Sequence, residues 1–333
     1  RPRLAVTLGD PRGIGPEVAA AAARAPEIRE AAELLTVGPE GVLPDALEVP
    51  RIDTGRWDPA PGRAEELAGR LAARAVERAC DLALADEVDG IVTAPLSKAA
   101  LAAAGRPWPG HTEFLRDRTG VEEVTMMMVA EATPLDGPLR MALLTGHVPL
   151  REVPDRLTPE LVFVRSRIAG RALREWWGLD RPTLAFAGVN PHASEGGLFG
   201  DEEARVLEPA MRRLQERGEG IRIDGLHPAD TVFRRCLDGR ADAVVVPYHD
   251  VGLAVLKTVA LESGVNVTAG LPFPRTSPDH GTAFDIAGRG EADPSSMIEA
   301  VRLCARFCAA GNGRPGREGD GGGAAPEGAG ADA

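Results

Sequence analysis

Apolar runs recur along the chain at residues 4–8, 33–38, 90–95, 124–130, 140–146, 183–188, 243–247 and 265–270. Several are apolar on both faces, the pattern of buried parallel strands rather than half-solvated ones. Between them the period lengthens to that of helices. Residues 64–86 form a long, Ala-rich amphipathic stretch, and 158–178 opens on a Thr-Pro-Glu start signal. Residues 201–218 begin with acidic side chains suited to a helix N-terminus, and 295–311 make the last helical stretch. Strands alternating with helices predict an α/β fold. No internal repeat is present. Residues 312–333 carry Gly, Pro, Ala and charge without an apolar period, which predicts a disordered tail.

Composition narrows the picture. A chain of 333 residues with 44% hydrophobic content suits about two domains with a sizeable core. It excludes a wholly disordered chain and a disulfide-held mini-protein. No apolar run is long enough for a membrane span. The chain opens on RPRLAVTLGD, without Met and without a signal-peptide pattern, so a few leading residues are expected to be missing and the protein is expected to be cytoplasmic. The net charge of −12 argues against a nucleic-acid partner and requires a local cation cluster for any anionic ligand. Cys80, Cys236, Cys304 and Cys308 form no C-x-x-C pair and are expected to be reduced core thiols.

Three regions carry candidate chemistry. GDPRGIGPE (9–17) follows the opening strand and precedes a helical stretch. It departs from G-x-G-x-x-G and fits either an ordinary turn or an anion cradle of backbone N–H groups. His147, His192 and His249 each follow an apolar strand. Ligands of open α/β sheets gather at such strand ends. The three fit either loop histidines satisfied locally or a His₃ site with open positions, the form of a catalytic divalent metal. In 248–288, Lys257, Asn266 and Arg275 lie nine residues apart among Gly and Pro. Together they could hold a phosphate, Lys as a point charge and Arg as a fork; apart, they are charges on a solvated face.

The motifs GDPRGIGPE, TAPLSK (93–98), PGHTEFL (109–115), TGHVPL (145–150), NPHASEGGLFGDEE (190–203), HPADTVF (227–233), YHDVGLAVLK (248–257) and GVNVTAGLPFPRTSPDHGTAFDIAG (264–288) occur in this order. In that combination the chain resembles the 4-hydroxythreonine-4-phosphate dehydrogenase (PdxA) family over residues 4 to about 310. The resemblance implies two α/β/α domains with a cleft between them, akin to isocitrate and isopropylmalate dehydrogenases. One domain would comprise 1–110 with 283–311 and the other 111–282. It implies His147, His192 and His249 as metal ligands in a site shared between the subunits of a homodimer. It implies His111, Thr112, Lys257, Asn266 and Arg275 as substrate contacts and Asp230 as an acidic residue near the metal. His227 and His280 are left as non-ligands.

The chemistry so implied is oxidation of 4-phosphooxy-L-threonine by NAD or NADP with a divalent metal, Zn by ligand softness, with Mg or Co compatible. Asp230 or His111 would be the base. The 3-oxo product would then lose CO₂. Ser194, His227 and the Gly of TGH depart from the family's usual residues and bear on substrate preference. The alternatives are a D-threonate or D-erythronate 4-phosphate dehydrogenase, a dihydrodiol dehydrogenase, a β-decarboxylating dehydrogenase of the isopropylmalate type, whose Mg sits on Asp carboxylates rather than strand-end histidines, and a non-catalytic metal-binding relative.

Overall fold

The computed structural model describes residues 1–217 and 219–310; the tail expected to be disordered lies outside the described residues. The strands are β1 (Arg3–Thr7), β2 (Glu33–Glu40), β3 (Arg51–Arg56), β4 (Gly90–Thr93), β5 (Thr125–Ala130), β6 (Leu139–Leu143), β7 (Thr183–Ala187), β8 (Arg222–His227), β9 (Ala243–Val246), β10 (Val265–Ala269) and β11 (Arg275–Pro278). The helices are α1 (Gly15–Arg24), α2 (Pro26–Ala31), α3 (Ala64–Leu84), α4 (Lys98–Ala103), α5 (His111–Thr119), α6 (Val153–Arg156), α7 (Pro159–Trp177), α8 (Glu208–Glu216), α9 (Phe233–Leu237), α10 (His249–Val259) and α11 (Ser295–Ala309). Each of the apolar runs is a strand, and the α/β class holds. Three further strands are polar in sequence. β3 (RIDTGR) and β8 (RIDGLH) are the two edges of the sheet, where little burial is demanded. β11 (RTSP) is interior.

All the strands join one mixed sheet in the order β3-β2-β1-β4-β11-β10-β5-β6-β9-β7-β8. The segment from β3 to β11 is parallel, and so is the segment from β6 to β8. Between them β10 and β5 pair antiparallel to their neighbours. One face of the sheet carries a continuous core, from Val6 and Val92 to Phe186 and Val245, covered by α1, α2, α7, α8 and α11. The opposite face carries two separate cores. One packs Ile91 and Val37 against α3, α4 and α5; the other packs Met128, Met141 and Val244 against α9 and α10. The gap between those two cores is a cleft.

Residues two apart share a strand face, and this assigns the cleft floor. Arg275 pairs with Ile91 across β11 and β4, and Asn266 pairs with Ser277 across β10 and β11. Arg275, Ser277, Asn266 and Thr93 therefore share the open face. Thr276 points the other way and donates to the Ala300 carbonyl of α11 at 2.7 Å. All four cysteines are free thiols, three of them fully buried, as expected.

Glu131 follows β5 and ties the covered face together. It accepts from Arg140 Nε at 2.7 Å, Trp177 Nε1 at 2.9 Å and Arg306 Nη2 at 2.7 Å. Burial alone would raise its pKa, but Arg140, Trp177 and Arg306 outweigh it and hold the carboxyl at about 2. A folded-state pKa below the unfolded value gives stability that is full above the unfolded pKa and lost as pH falls toward the folded one. That contribution is on the order of 3 kcal/mol at neutral pH. Glu131→Gln is expected to lower unfolding free energy strongly at pH 7, with the gap to the parent protein narrowing at pH 3. Urea unfolding at the two pH values checks this; an equal gap at both removes the ionic contribution.

Candidate active site

The cleft has a volume of about 650 Å³. On its floor the Arg275 side chain is almost wholly buried, 2% exposed. Nη1 donates to Thr268 Oγ1 at 2.9 Å and Nη2 to Thr93 Oγ1 at 2.6 Å. Both acceptors are neutral, and Nε has no partner. Burial lowers the guanidinium pKa to about 10, so it remains a cation at neutral pH. A buried cation is expensive unless it is paired. Arg275 has two hydroxyl partners and an unpartnered N–H in a residue that lines the cleft, donor chemistry suited to an anion.

Most of the orphaned polar atoms of the described residues collect here; Thr7 Oγ1, Glu17 Oε1 and Ser166 Oγ lie elsewhere. Among the described residues, His111 Nε2, Asn266 Oδ1, His280 Nε2, Arg165 Nε and Arg275 Nε are buried without a partner, and all five residues line this cleft. Native proteins leave few such groups unsatisfied, so their concentration marks a ligand site. His111 opens α5, whose first-turn N–H groups have no helical partners and favour an anion. Burial, then the Arg275 charge, pushes the His111 pKa well below the usual imidazole value, so the ring is neutral. Trp108 stacks on Phe114 with ring centroids 4.1 Å apart and donates to Asp117 at 2.8 Å, bracing the turn into α5. Thr112 lines the cleft beside His111.

The strand-end histidines follow the order of the sheet. Adjacent strands β6, β9, β7 and β8 are followed by His147, His249, His192 and Asp230 respectively. The His147 and His249 rings lie 4.9 Å apart at 42°. Leu144 N–H donates to the Val246 carbonyl and Thr145 Oγ1 to the Pro247 carbonyl, locking the two loops side by side. His249 Nδ1 lies 2.7 Å from Asp250 Oδ1; the carboxylate can only accept, so Nδ1 is the donor. A carboxylate on the far ring nitrogen is the usual support of a metal-ligating imidazole. Burial, Lys98 and His249 lower the His147 pKa, favouring the neutral, ligating form. This pair fits a divalent cation in donor chemistry. The third candidate does not join it: no three His, Cys, Asp or Glu side chains gather around a common point among the described residues.

His192 instead lies on an exposed turn, Pro191–Gly197, in which residues 192–196 all have positive φ, from 43° to 68°. For residues other than Gly this costs roughly 1–2 kcal/mol each. Asp230 is exposed in the loop between β8 and α9, away from the cleft wall. Lys257 lies off the wall as well, held by the Asp279 carboxylate at 3.0 Å and its carbonyl at 3.2 Å. The GDPRGIGPE loop is occupied by its own contacts. Asp10 is buried and receives Arg12 Nε at 3.0 Å and Nη2 at 2.8 Å, and Ile14 N–H donates to Thr282. Lys98, Arg165 and His280 line the cleft although sequence reasoning gave them no site role. Lys98 and His280 stood inside quoted motifs, where their place after strands was the available signal. Arg165 lay within a helical period and gave none.

The family model described as "Pyridoxal phosphate biosynthetic protein PdxA" matches residues 5–304. A 4-hydroxythreonine-4-phosphate dehydrogenase from Chromobacterium violaceum is 42% identical over 325 residues, covering 91% of this chain and 96% of the relative. A protein from Symbiobacterium thermophilum, named as a candidate D-threonate 4-phosphate dehydrogenase, is 39% identical, covering 93% of this chain and 98% of its own. The crystal structure of 4-hydroxythreonine-4-phosphate dehydrogenase from Klebsiella pneumoniae superposes with a TM-score of 0.77 at 38% identity, covering 92% of this chain and 98% of that one.

Arg275→Lys is expected to leave Thr93 or Thr268 without its donor and to lower stability by about 1–3 kcal/mol. It should also abolish protection by an anion. Thermal unfolding with and without inorganic phosphate measures both; full phosphate protection in the variant would remove Arg275 from the anion site.

Proposed function

The chain belongs to the PdxA family, and from that membership we propose that it oxidises 4-phosphooxy-L-threonine at C3 with NAD or NADP in pyridoxal phosphate biosynthesis. The product, 2-amino-3-oxo-4-phosphooxybutyrate, is a β-keto acid and loses CO₂ to give 3-amino-2-oxopropyl phosphate. The observation that carries this reading is the buried Arg275, hydrogen-bonded to hydroxyls alone beside the start of α5, in a cleft holding the neutral His111. Arg275, Asn266, Thr112 and the first turn of α5 would hold the phosphate. His111, with an unpartnered Nε2 in the same cleft, would accept the proton of the C3 hydroxyl. It is preferred over Asp230, which is exposed and outside the cleft.

His147 and His249 would hold a divalent cation, Zn by ligand softness, with His192 supplied by a second copy of the chain in a homodimer. Bound there, the cation would lower the pKa of a coordinated hydroxyl. Lys257 would come into contact only by exchanging Asp279 for substrate. A D-threonate or D-erythronate 4-phosphate substrate is the second reading, favoured by the similarity to the Symbiobacterium protein.

NADH or NADPH formation from 4-phosphooxy-L-threonine and the D-threonate and D-erythronate 4-phosphates, each with and without a chelator, tests the proposal. Chelator-sensitive turnover of phosphooxythreonine alone is expected. Turnover only of a sugar-acid phosphate selects the second reading, and silence with all three overturns both. His111→Gln is expected to lower kcat by about 10²–10⁴-fold with unchanged circular dichroism.

A further inference from the structure

Glu203 is a buried carboxylate that the chemistry above does not use. It is 2% exposed and lies just before α8. One oxygen accepts from Val189 N–H at 2.8 Å and Asn190 N–H at 2.7 Å; the other accepts from Asn190 Nδ2 at 2.9 Å and Ser194 Oγ at 2.6 Å. All of these donors belong to the segment that carries His192, and they bracket it on both sides. Ser194 is the one buried residue of the Pro191–Gly197 turn. Its neighbours, Leu198 and Phe199 included, are largely exposed. The turn is thus held mainly by polar contacts: Glu203 gathers both sides of it, and Glu202 shares the Asn190 amide at 2.7 Å.

Position 194 shows the same demand from the other side. Its φ of 65° favours Gly. Here a serine takes that conformation, and its hydroxyl reaches Glu203.

We propose that Glu203 is a positioning residue for His192: by gathering Asn190 and Ser194 it fixes the left-handed turn and thereby the direction in which His192 is presented. The proposal rests on the reading above that His192 is a metal donor. Glu203→Gln keeps the side chain's shape but turns one of the two accepting oxygens into a donor facing the Asn190 amide.

The test is Co²⁺ titration of the metal-free, full-length protein, followed by its visible absorption, beside thermal unfolding without metal. Glu203→Gln is expected to weaken Co²⁺ binding by about 10–100-fold with the fold retained. Ser194→Ala, which removes a single hydrogen bond, should weaken it in the same direction by less. His192→Ala is the control for the underlying reading. Parent-like Co²⁺ affinity in Glu203→Gln, with His192→Ala impaired, overturns the positioning role alone. Parent-like affinity in His192→Ala overturns the donor reading and the proposal with it. Should Glu203→Gln fail to fold, Ser194→Ala carries the test, and unchanged affinity there overturns the proposal.

Discussion

The constraint behind the whole arrangement is the reversal of strand direction in the middle of the sheet. Parallel strands are joined by crossovers that place helices over both faces, whereas antiparallel strands tolerate one uncovered face. The parallel segments on either side of β10 and β5 are sandwiched by helices. Where β10 and β5 break the pattern, α7 and α11 cover one side; on the other, α10 reaches Met128 of β5, and the floor over β10, β11 and the end of β4 stays open. A cleft over a sheet floor exposes alternate side chains of several strands, and those positions can be polar without disturbing the core. Thr93, Asn266, Arg275 and Ser277 are those positions.

Charge explains why this floor needs protecting. The protein carries a net charge of −12, yet Lys98, Arg116, Arg156, Arg165 and Arg275 line the cleft against Glu113 and Glu123. Arg165 pairs with Glu123 at 3.1 Å and holds the Leu144 carbonyl at 2.6 Å, so part of that cation set shapes the His147 loop. Arg275 has neither task. Its hydrogen-bond partners are neutral, and burial draws its pKa down although the Glu113 carboxylate partly offsets that. On the proposed reading an anionic ligand supplies the direct counter-charge, and hydroxyl neighbours orient the guanidinium without competing for it.

The apolar strands were legible because burial on both faces writes itself into consecutive residues. β3, β8 and β11 were not, for two reasons: edges demand little burial, and β11 lends one face to the cleft. Among the site residues, His111, Asn266 and Arg275 were singled out in the sequence and converge in the fold. Lys257 and Asp230 were singled out equally and lie off the cleft, because motif membership carries no information about direction. His280 was set aside as a non-ligand, yet its Nε2 is one of the orphaned atoms on the wall. Ser194 stood out only as a departure from Gly; its hydroxyl bond to Glu203 gives it a structural role.

The histidine spacing shows most clearly what a linear reading loses. In sequence His192 lies between His147 and His249, so no pair stands out. In the sheet β9 inserts between β6 and β7, which makes neighbours of the outer two; β7 also adjoins β9, so it is the turn after β7, not strand order, that separates His192. Two imidazoles side by side can supply half of a tetrahedral shell. The third sits on its own exposed, left-handed turn tied to Glu203, and does not gather with them among the described residues. On the proposed reading the shell is then completed only by a second chain, so assembly and cation binding become one event. A rigid turn suits that task better than a flexible one, because a donor arriving from another molecule must already point the right way.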